Sequence, residues 1–132
     1  GEMPEVKYKL IIGTDSQLRD SCCFVTAIIV HREGKGARYY YHREWEPVGT
    51  SLRQRIYYET SKSLIVASKL ASKLAENGYG ELDVEIHLDV GESGRTKELI
   101  REVVGMVVGS GFDARIKPES YGASVVADKY TK

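Results

Sequence analysis

The sequence predicts an α/β protein in which a meander of three strands is followed by alternating helices and strands. Three stretches rich in β-branched, aromatic or apolar residues come first, at residues 6–15, 22–32 and 37–46. Helical and strand-like patterns then alternate along the rest of the chain, which gives the order βββαβαβα. A further observation is that two of the predicted strands end on an aspartate, and this bears on function.

The three predicted strands of the meander have different patterns. The first, "VKYKLIIGTD", becomes continuously apolar before Asp15, which is typical of a strand covered on both faces. Gly34 and Gly36 predict a turn between the second and third strands, which we therefore expect to be antiparallel. The third strand carries Tyr39, Tyr40 and Tyr41 in a row. Because side chains alternate between faces, we expect at most alternate rings to be available for stacking on bases and the others to join the core.

The first helix is predicted from Ser51 to about Glu76. Ser51 and Gln54 have the spacing of a capping box, which opens a helix. A stripe of apolar and small residues at helical spacing predicts the face that packs on the sheet: Ile56, Thr60, Ser63, Ala67, Leu70, Ala71 and Leu74. Glu59 lies on the edge of this stripe, whereas a fully solvated glutamate would more naturally occupy the opposite face.

The second half of the chain contains a strand, a helix, a short strand and a last helix. In "LDVEIHLD", one side carries Val84, Ile86 and Leu88, and the other carries Glu85, His87 and Asp89. "KELIREVVGMVV" predicts a helix that ends at Gly109, and "FDARIKP" predicts the fifth strand. On the last helix, "YGASVVADKYT", Asp128 shares a face with Ser124 and Val125.

Length and composition limit the class of protein. The 132 residues are enough for one domain with a sizeable core, and we expect a single domain over residues 1–132. Hydrophobic residues make up 42% and charged residues 29%, which argues against a disordered or fibrous protein. The net charge is zero, which counts against a dedicated nucleic-acid binder, although an acidic site could still be ringed by basic residues.

The sequence also bears on the cellular setting. No apolar run approaches the ~20 residues that span a membrane, and the first residues lack the pattern of a secretory signal. Cys22 and Cys23 are neighbours, which makes a disulfide between them geometrically poor. We therefore expect a cytoplasmic protein with no membrane partner.

Four stretches of the chain resemble a known family. "IGTDSQ", "IHLDVGESGRT", "VVGMVVGSGFDARIKP" and "SYGASVVADKYT" are similar to the YkuK-type ribonuclease H-like proteins, a bacterial group described as predicted nucleases. The resemblance runs over most of the chain. It implies a five-stranded mixed sheet in which strands 1 to 3 form an antiparallel meander and strands 4 and 5 lie parallel to strand 1.

The same resemblance implies a metal site. In ribonuclease H-like enzymes, the ligands come from the first strand, the first helix, the end of the fourth strand and a late helix. The matching positions are Asp15, Glu59, Asp89 and Asp128, which would be both the catalytic residues and the ligands of Mg²⁺ or Mn²⁺. Strands 1 and 4 would place Asp15 and Asp89 side by side at the edge where open α/β sheets carry their sites.

Each acidic residue also has a structural interpretation. Asp15 and Asp89 could simply turn the chain, or cap a helix. Glu59 could be an exposed residue paired with Lys62, and Asp128 could be a solvated surface residue.

Three further residues are candidates for contact with the substrate. Arg95 lies in the loop that follows Asp89 and is a reasonable phosphate contact. Ser16 follows Asp15 directly, and His87 alternates onto the same side of its strand as Asp89. For His87, a hydrogen-bonded core histidine is the more common outcome.

The sequence thus predicts a metal-dependent nuclease that hydrolyses phosphodiester bonds of RNA or DNA by a two-metal mechanism. The alternative is a non-catalytic domain of the same fold that binds nucleic acid or another protein, because a fold does not determine a function. A third possibility is a transferase or resolvase that uses the same metal chemistry.

Overall fold

The computed structural model describes residues 7–18, 22–32, 34–47, 51–76, 82–90 and 97–116. In this part of the chain, five strands and two helices follow in the predicted order. They are β1 (Tyr8–Leu18), β2 (Cys22–Arg32), β3 (Gly36–Glu46), α1 (Leu52–Glu76), β4 (Leu82–His87), α2 (Lys97–Gly109) and β5 (Asp113–Arg115). The predicted last helix, which carries Asp128, lies outside the described residues.

The strands form one mixed sheet in the order β3-β2-β1-β4-β5. β1 pairs with β2 and β2 with β3 in antiparallel fashion, whereas β4 is parallel to both β1 and β5. Gly34 and Gly36 form the tight turn between β2 and β3, where both adopt a positive φ of 79° and 91°, a conformation that glycine tolerates best. The predicted meander, the parallel strands and the five-stranded mixed sheet are confirmed.

β1 extends further than predicted. Its pairing with β4 runs from Tyr8 to Gly13, but its pairing with β2 continues to Leu18, which lies opposite Cys22. The prediction that Asp15 ends this strand is therefore wrong, because residues 14–18 keep their ladder with β2. What ends before Asp15 is the contact with β4.

The main hydrophobic core lies between one face of the sheet and the two helices. It combines buried residues of β1, α1, β4, the segment after β4, and α2: Leu10, Ile12, Ile56, Ala67, Val84, Ile86, Leu88, Val90, Leu99, Val103 and Val107. Burial of these side chains is the largest favourable term in folding and holds α1 against β1 and β4.

The ends of both helices follow the local sequence. The backbone NH of Gln54 donates to Ser51 Oγ at 3.4 Å, so Ser51 caps α1 as predicted. α2 ends in a tight turn in which the NH of Gly111, at a φ of 89°, donates to the carbonyl oxygen of Val108 at 3.0 Å. Neither of these two helices combines the length and the apolar character needed to cross a lipid bilayer.

β3 is the outermost strand of the sheet and is largely exposed. Tyr39, Tyr40 and Tyr41 expose 63%, 48% and 51% of their surface. The prediction that some of these rings join the core is wrong, because all three stay about half exposed or more, and among the described residues the two helices pack mainly on β1, β4 and β5 rather than on this edge strand.

Candidate active site where β1 and β4 part

Asp15 and Asp89 occupy equivalent positions at the place where β1 and β4 separate. The last parallel pair of these strands is Gly13 with His87, and each aspartate lies two residues beyond it. Both side chains are half-buried. Because parallel strands rise by about 3.3 Å per residue in the same direction, this register brings both aspartates to one edge of the sheet.

Glu59 approaches the same place from α1 and is buried. Only 8% of its surface is exposed, and its carboxylate accepts a hydrogen bond from Ser16 Oγ on β1. The interpretation of Glu59 as an exposed residue paired with Lys62 is wrong. Lys62 Nζ instead contacts the carboxylates of Glu44 and Glu46 on β3, the latter at 3.0 Å.

The electrostatic surroundings of Glu59 raise its pKa from 4.5 to about 8. Burial is the largest cause, because removing the carboxylate from water disfavours its charged form. The hydrogen bond from Ser16 lowers the pKa, the negative charges of Asp15 and Asp89 raise it, and the positive charge of Arg55 lowers it. In the structure as described, the Glu59 carboxyl is therefore mainly protonated at neutral pH.

Arg55 and three hydroxyl groups support the site. Arg55 Nη2 donates to the backbone carbonyl of Ser16 at 3.2 Å, and its Nε donates to Ser16 Oγ at 3.3 Å. Beside them, Thr14 Oγ1 lies 2.7 Å from Ser63 Oγ and 3.0 Å from Thr26 Oγ1. The bonds of Arg55 and Ser63 tie α1 to β1 and hence position Glu59, and the bond to Thr26 ties β1 to β2.

The sequence did not single out Arg55 or Thr14. The available signal for Arg55 was its spacing, because it precedes Glu59 by four residues and lies on the same face of the helix. Thr14 gave no signal of its own, since its bonds depend on the packing of α1 against the sheet.

His87 is buried beside Glu85 on β4. Its Nε2 lies 3.2 Å from Glu85 Oε1, and Lys9 Nζ lies 2.6 Å from Glu85 Oε2. Burial alone would raise the pKa of Glu85, but the hydrogen bonds from Lys9 and His87 lower it below its usual value. Of the buried side-chain polar atoms in the described part of the chain, His87 Nδ1 is the one without a hydrogen-bond partner.

A narrow cleft runs between α1 and the ends of β1 and β4. It is lined by Thr14, Ile56, Glu59, Thr60, Ser63, His87, Leu88 and Asp89. Two of the predicted acidic residues thus share this cleft, and Asp15 acts on it through its charge. Asp128 and Arg95, the other predicted members, lie outside the described residues.

The donor chemistry of this cluster fits a hard divalent cation, whereas its described geometry does not form a complete site. Carboxylate oxygens are the ligands that Mg²⁺ and Mn²⁺ prefer, and a cation would relieve the repulsion that Asp15 and Asp89 exert on Glu59. However, within the described ranges no group of three or more His, Cys, Asp or Glu residues is arranged to hold a metal ion.

Comparison with known proteins assigns the chain to a family. The family model for Ribonuclease H-like proteins matches residues 1–132. The chain belongs to the ribonuclease H-like family. This ribonuclease H-like protein is also 40% identical to the uncharacterized protein YkuK of Bacillus subtilis (strain 168) over an alignment of 142 residues, which covers 98% of this chain and 82% of the relative. The resemblance to YkuK-type proteins is therefore confirmed.

A solved structure gives a weaker likeness. The ribonuclease H-like protein aligns with the Aquifex aeolicus member of the Ppx/GppA family with a TM-score of 0.38 and 12% sequence identity. The alignment covers 86% of this chain and 35% of that chain, so this chain spans about a third of its length. At this level of similarity, we draw no conclusion about function from the match.

Proposed function

We propose that this ribonuclease H-like protein is a metal-dependent nuclease that hydrolyses phosphodiester bonds of RNA or DNA. The observation that carries the proposal is the approach of three carboxyl groups, those of Asp15, Glu59 and Asp89, at the point where β1 and β4 part. A strongly perturbed acidic group beside other carboxylates in a cleft, as Glu59 is here, is typical of a functional site. Membership of the ribonuclease H-like family supports the same conclusion.

The residues that would hold Mg²⁺ or Mn²⁺ are Asp15 and Asp89, with Glu59 and Asp128 completing the set. When bound, a pair of such ions supplies an activated water and stabilises the leaving oxygen of an in-line displacement. Without a metal ion, the Glu59 carboxyl is mainly protonated at neutral pH, because burial and the negative charges of Asp15 and Asp89 raise its pKa. To serve as a metal ligand, it has to release this proton.

The remaining predicted residues divide into supporting and substrate-binding roles. Ser16 holds the Glu59 carboxylate and is itself held by Arg55, so we assign both to positioning Glu59. His87 is bound to Glu85 and buried, and we propose that it supports the end of β4. Arg95 is then the candidate for direct contact with a phosphate of the substrate.

Cleavage of a panel of labelled nucleic acids tests the proposal. Single strands, duplexes and RNA–DNA hybrids are incubated with Mn²⁺ or with EDTA, and at least one substrate should be cut with Mn²⁺ and spared with EDTA. Asp15→Asn should abolish this cutting. Asp83→Asn is the matched control, because Asp83 is an exposed aspartate near the opposite end of β4 and its variant should cut normally.

A second experiment measures metal binding without cleavage. Mg²⁺ or Mn²⁺ should raise the Tm of the wild-type protein, because a ligand of the folded state stabilises it by mass action, and Asp15→Asn should lose most of this shift. A shift of the same size in Asp15→Asn would show that the ions bind elsewhere and would contradict the proposed ligand set.

The alternative function is a domain that binds nucleic acid or a protein without cleavage. One observation favours it: within the described residues, no group of three or more potential ligands is arranged to hold a metal ion. Binding without cutting across the whole panel, together with no metal-dependent shift in Tm, would establish this alternative in place of a nuclease.

A further inference from the structure

One face of the edge strand β3 carries a row of large exposed side chains. Residues 39, 41, 43 and 45 alternate onto this face and are Tyr39, Tyr41, Arg43 and Trp45, which we call the aromatic row. Its three rings expose 63%, 51% and 53% of their surface. Exposed clusters of this kind on a protein surface usually mark an interaction site.

The aromatic row is exposed although the neighbouring row on β2 is buried. Opposite Arg43 and Tyr41 lie Val25 and Ala27, and both of these have no exposed surface. The packed part of this face therefore stops at β2, and the aromatic row forms a margin beside it. Rings at this margin add little to the core, so packing does not explain their presence.

Charge on this face favours an anionic partner. Both carboxylates of β3, Glu44 and Glu46, alternate onto the opposite face, where they contact Lys62 of α1. The aromatic row itself contains Arg43, and His31 lies exposed on the same face at the other end of the hairpin. A phosphate backbone beside the row would thus meet the guanidinium group of Arg43 on this face of β3, while the carboxylates of β3 lie on the other face.

The spacing of the rings fits successive bases of an extended single strand. Residues two apart on a strand are separated by about 6.6 Å, so the row from Tyr39 to Trp45 spans about 20 Å. A base in a duplex is already stacked on its neighbours, whereas an unpaired base presents a free face to an aromatic ring. Stacking of this kind tolerates any sequence, because every base has such a face.

The aromatic row is aligned with the candidate active site across the sheet. Asp15 pairs with Val25, and Val25 pairs with Arg43, so these three residues lie in one line on the same face. Two strand spacings separate Arg43 from Asp15, a distance of about 10 Å. A strand bound along β3 would therefore pass within about 10 Å of Asp15, whereas Glu59 approaches from α1 on the opposite face of the sheet.

We propose that the aromatic row binds single-stranded RNA or DNA by stacking unpaired bases on Tyr39, Tyr41 and Trp45, with Arg43 at the backbone. The proposal deepens the nuclease function by naming a single-stranded substrate, and in that respect it rests on the proposed function. Binding itself requires no metal and can be measured separately from cleavage.

Trp45 provides a direct probe, because it is the one tryptophan in the sequence. The protein is titrated in EDTA with short oligo(dT) and oligo(U) strands, and with a duplex of the same length, while tryptophan fluorescence is recorded. Both single strands should quench the fluorescence of Trp45, and the duplex should have a much smaller effect. A response to one of the two strands alone would still support the row and would show that it discriminates between strands that differ in their sugar and in the 5-methyl group of thymine.

Matched variants on the two faces of β3 test the assignment. Tyr39→Ala and Tyr41→Ala should each weaken binding by about 5- to 100-fold, which is the range that loss of one stacked base produces. Tyr40→Ala is the control, since Tyr40 is 48% exposed but faces the other side, and its affinity should stay within twofold of wild type. Tyr39→Phe keeps the ring and should retain binding, and unchanged circular dichroism confirms that each variant is folded.

Several outcomes would overturn the proposal. They are an unquenched Trp45, an equal loss of affinity in Tyr40→Ala, and self-association that disappears in Tyr39→Ala, which would make the row an interface between two copies of this chain. Binding that persists without any cleavage would refute the nuclease function but would still support the aromatic row as a binding site for single strands. Normal cleavage and unaltered affinity in Tyr39→Ala and Tyr41→Ala would refute the binding role of the aromatic row and leave the nuclease function in place.

Discussion

Replacing Glu59 with glutamine should remove a pH-dependent loss of stability. The pKa of Glu59 is about 8 in the folded protein and 4.5 as its ordinary value. Between these two values, the folded state keeps a proton that the unfolded state has lost, so the free energy of unfolding falls as the pH rises. The stabilising contribution of protonated Glu59 is complete below pH 4.5 and is lost once the pH passes 8.

The size of the effect follows from the difference between the two pKa values. One pKa unit corresponds to about 1.4 kcal/mol, so the full change across this window is roughly 5 kcal/mol. Glu59→Gln carries no titratable group at this position, and its amide oxygen can still accept the hydrogen bond from Ser16. Glu59→Gln should therefore match the wild type in stability near pH 4.5 and exceed it above pH 8 by up to about 5 kcal/mol.

Urea denaturation of the two proteins from pH 4.5 to pH 9, without divalent ions, measures this difference. Because other groups titrate in both proteins, the free energy of unfolding of the wild type is subtracted from that of the variant at each pH. Glu76→Gln is the control, since Glu76 is exposed near the end of the same helix and its replacement should leave the pH profile unchanged.

The metal-bound protein should behave differently. If Glu59 is a ligand of Mg²⁺ or Mn²⁺, saturating ion favours the ionised carboxylate, and the decline in wild-type stability with pH should shrink. Parallel profiles for wild type and Glu59→Gln in the absence of metal would refute the reasoning, because they would mean that the buried carboxyl does not keep its proton.

Two further predictions concern the polar contacts of α1. Thr14→Val should destabilise the protein by about 1–3 kcal/mol in urea denaturation, because it leaves the buried hydroxyl groups of Ser63 and Thr26 without their shared partner. A loss below about 0.5 kcal/mol would contradict this reasoning. Lys62→Met should lower the free energy of unfolding by about 1–2 kcal/mol in the same assay, since it removes a partly buried cation from two carboxylates. Lys69→Met is the control at an exposed position and should cost far less. Equal losses in the two variants would argue against the Lys62 contacts.

The fold could be predicted from sequence because its signals are local. Alternation in "LDVEIHLD" placed Val84, Ile86 and Leu88 on the core side, and the capping residue Ser51 fixed the start of α1. The end of β1 could not be found this way. Nothing in residues 14–18 shows that they keep pairing with β2 after β4 has turned away, since this depends on the position of a neighbouring strand.

The candidate site was only partly accessible to the same approach. The strand patterns and the family resemblance pointed to Asp15 and Asp89, and the structure places both at the parting of β1 and β4. Burial of Glu59 depends on how closely α1 approaches the sheet, so an exposed position next to Lys62 was an equally reasonable interpretation of the pattern. The exposure of Tyr39 and Tyr41 likewise follows from the place of β3 at the sheet edge, a property of strand order that the periodicity of one strand does not contain.

The parallel pairing of β1 with β4 also has a consequence for biosynthesis. Two parallel strands cannot be joined by a tight turn, and here the connection passes through β2, β3 and α1. A growing chain can complete the β1–β3 meander from local contacts, but Asp15 and Asp89 cannot meet until residue 89 has been synthesised. The acidic cluster therefore forms only after residue 89 has left the ribosome, and a shorter nascent chain contains Glu59 without the neighbour that Asp89 provides.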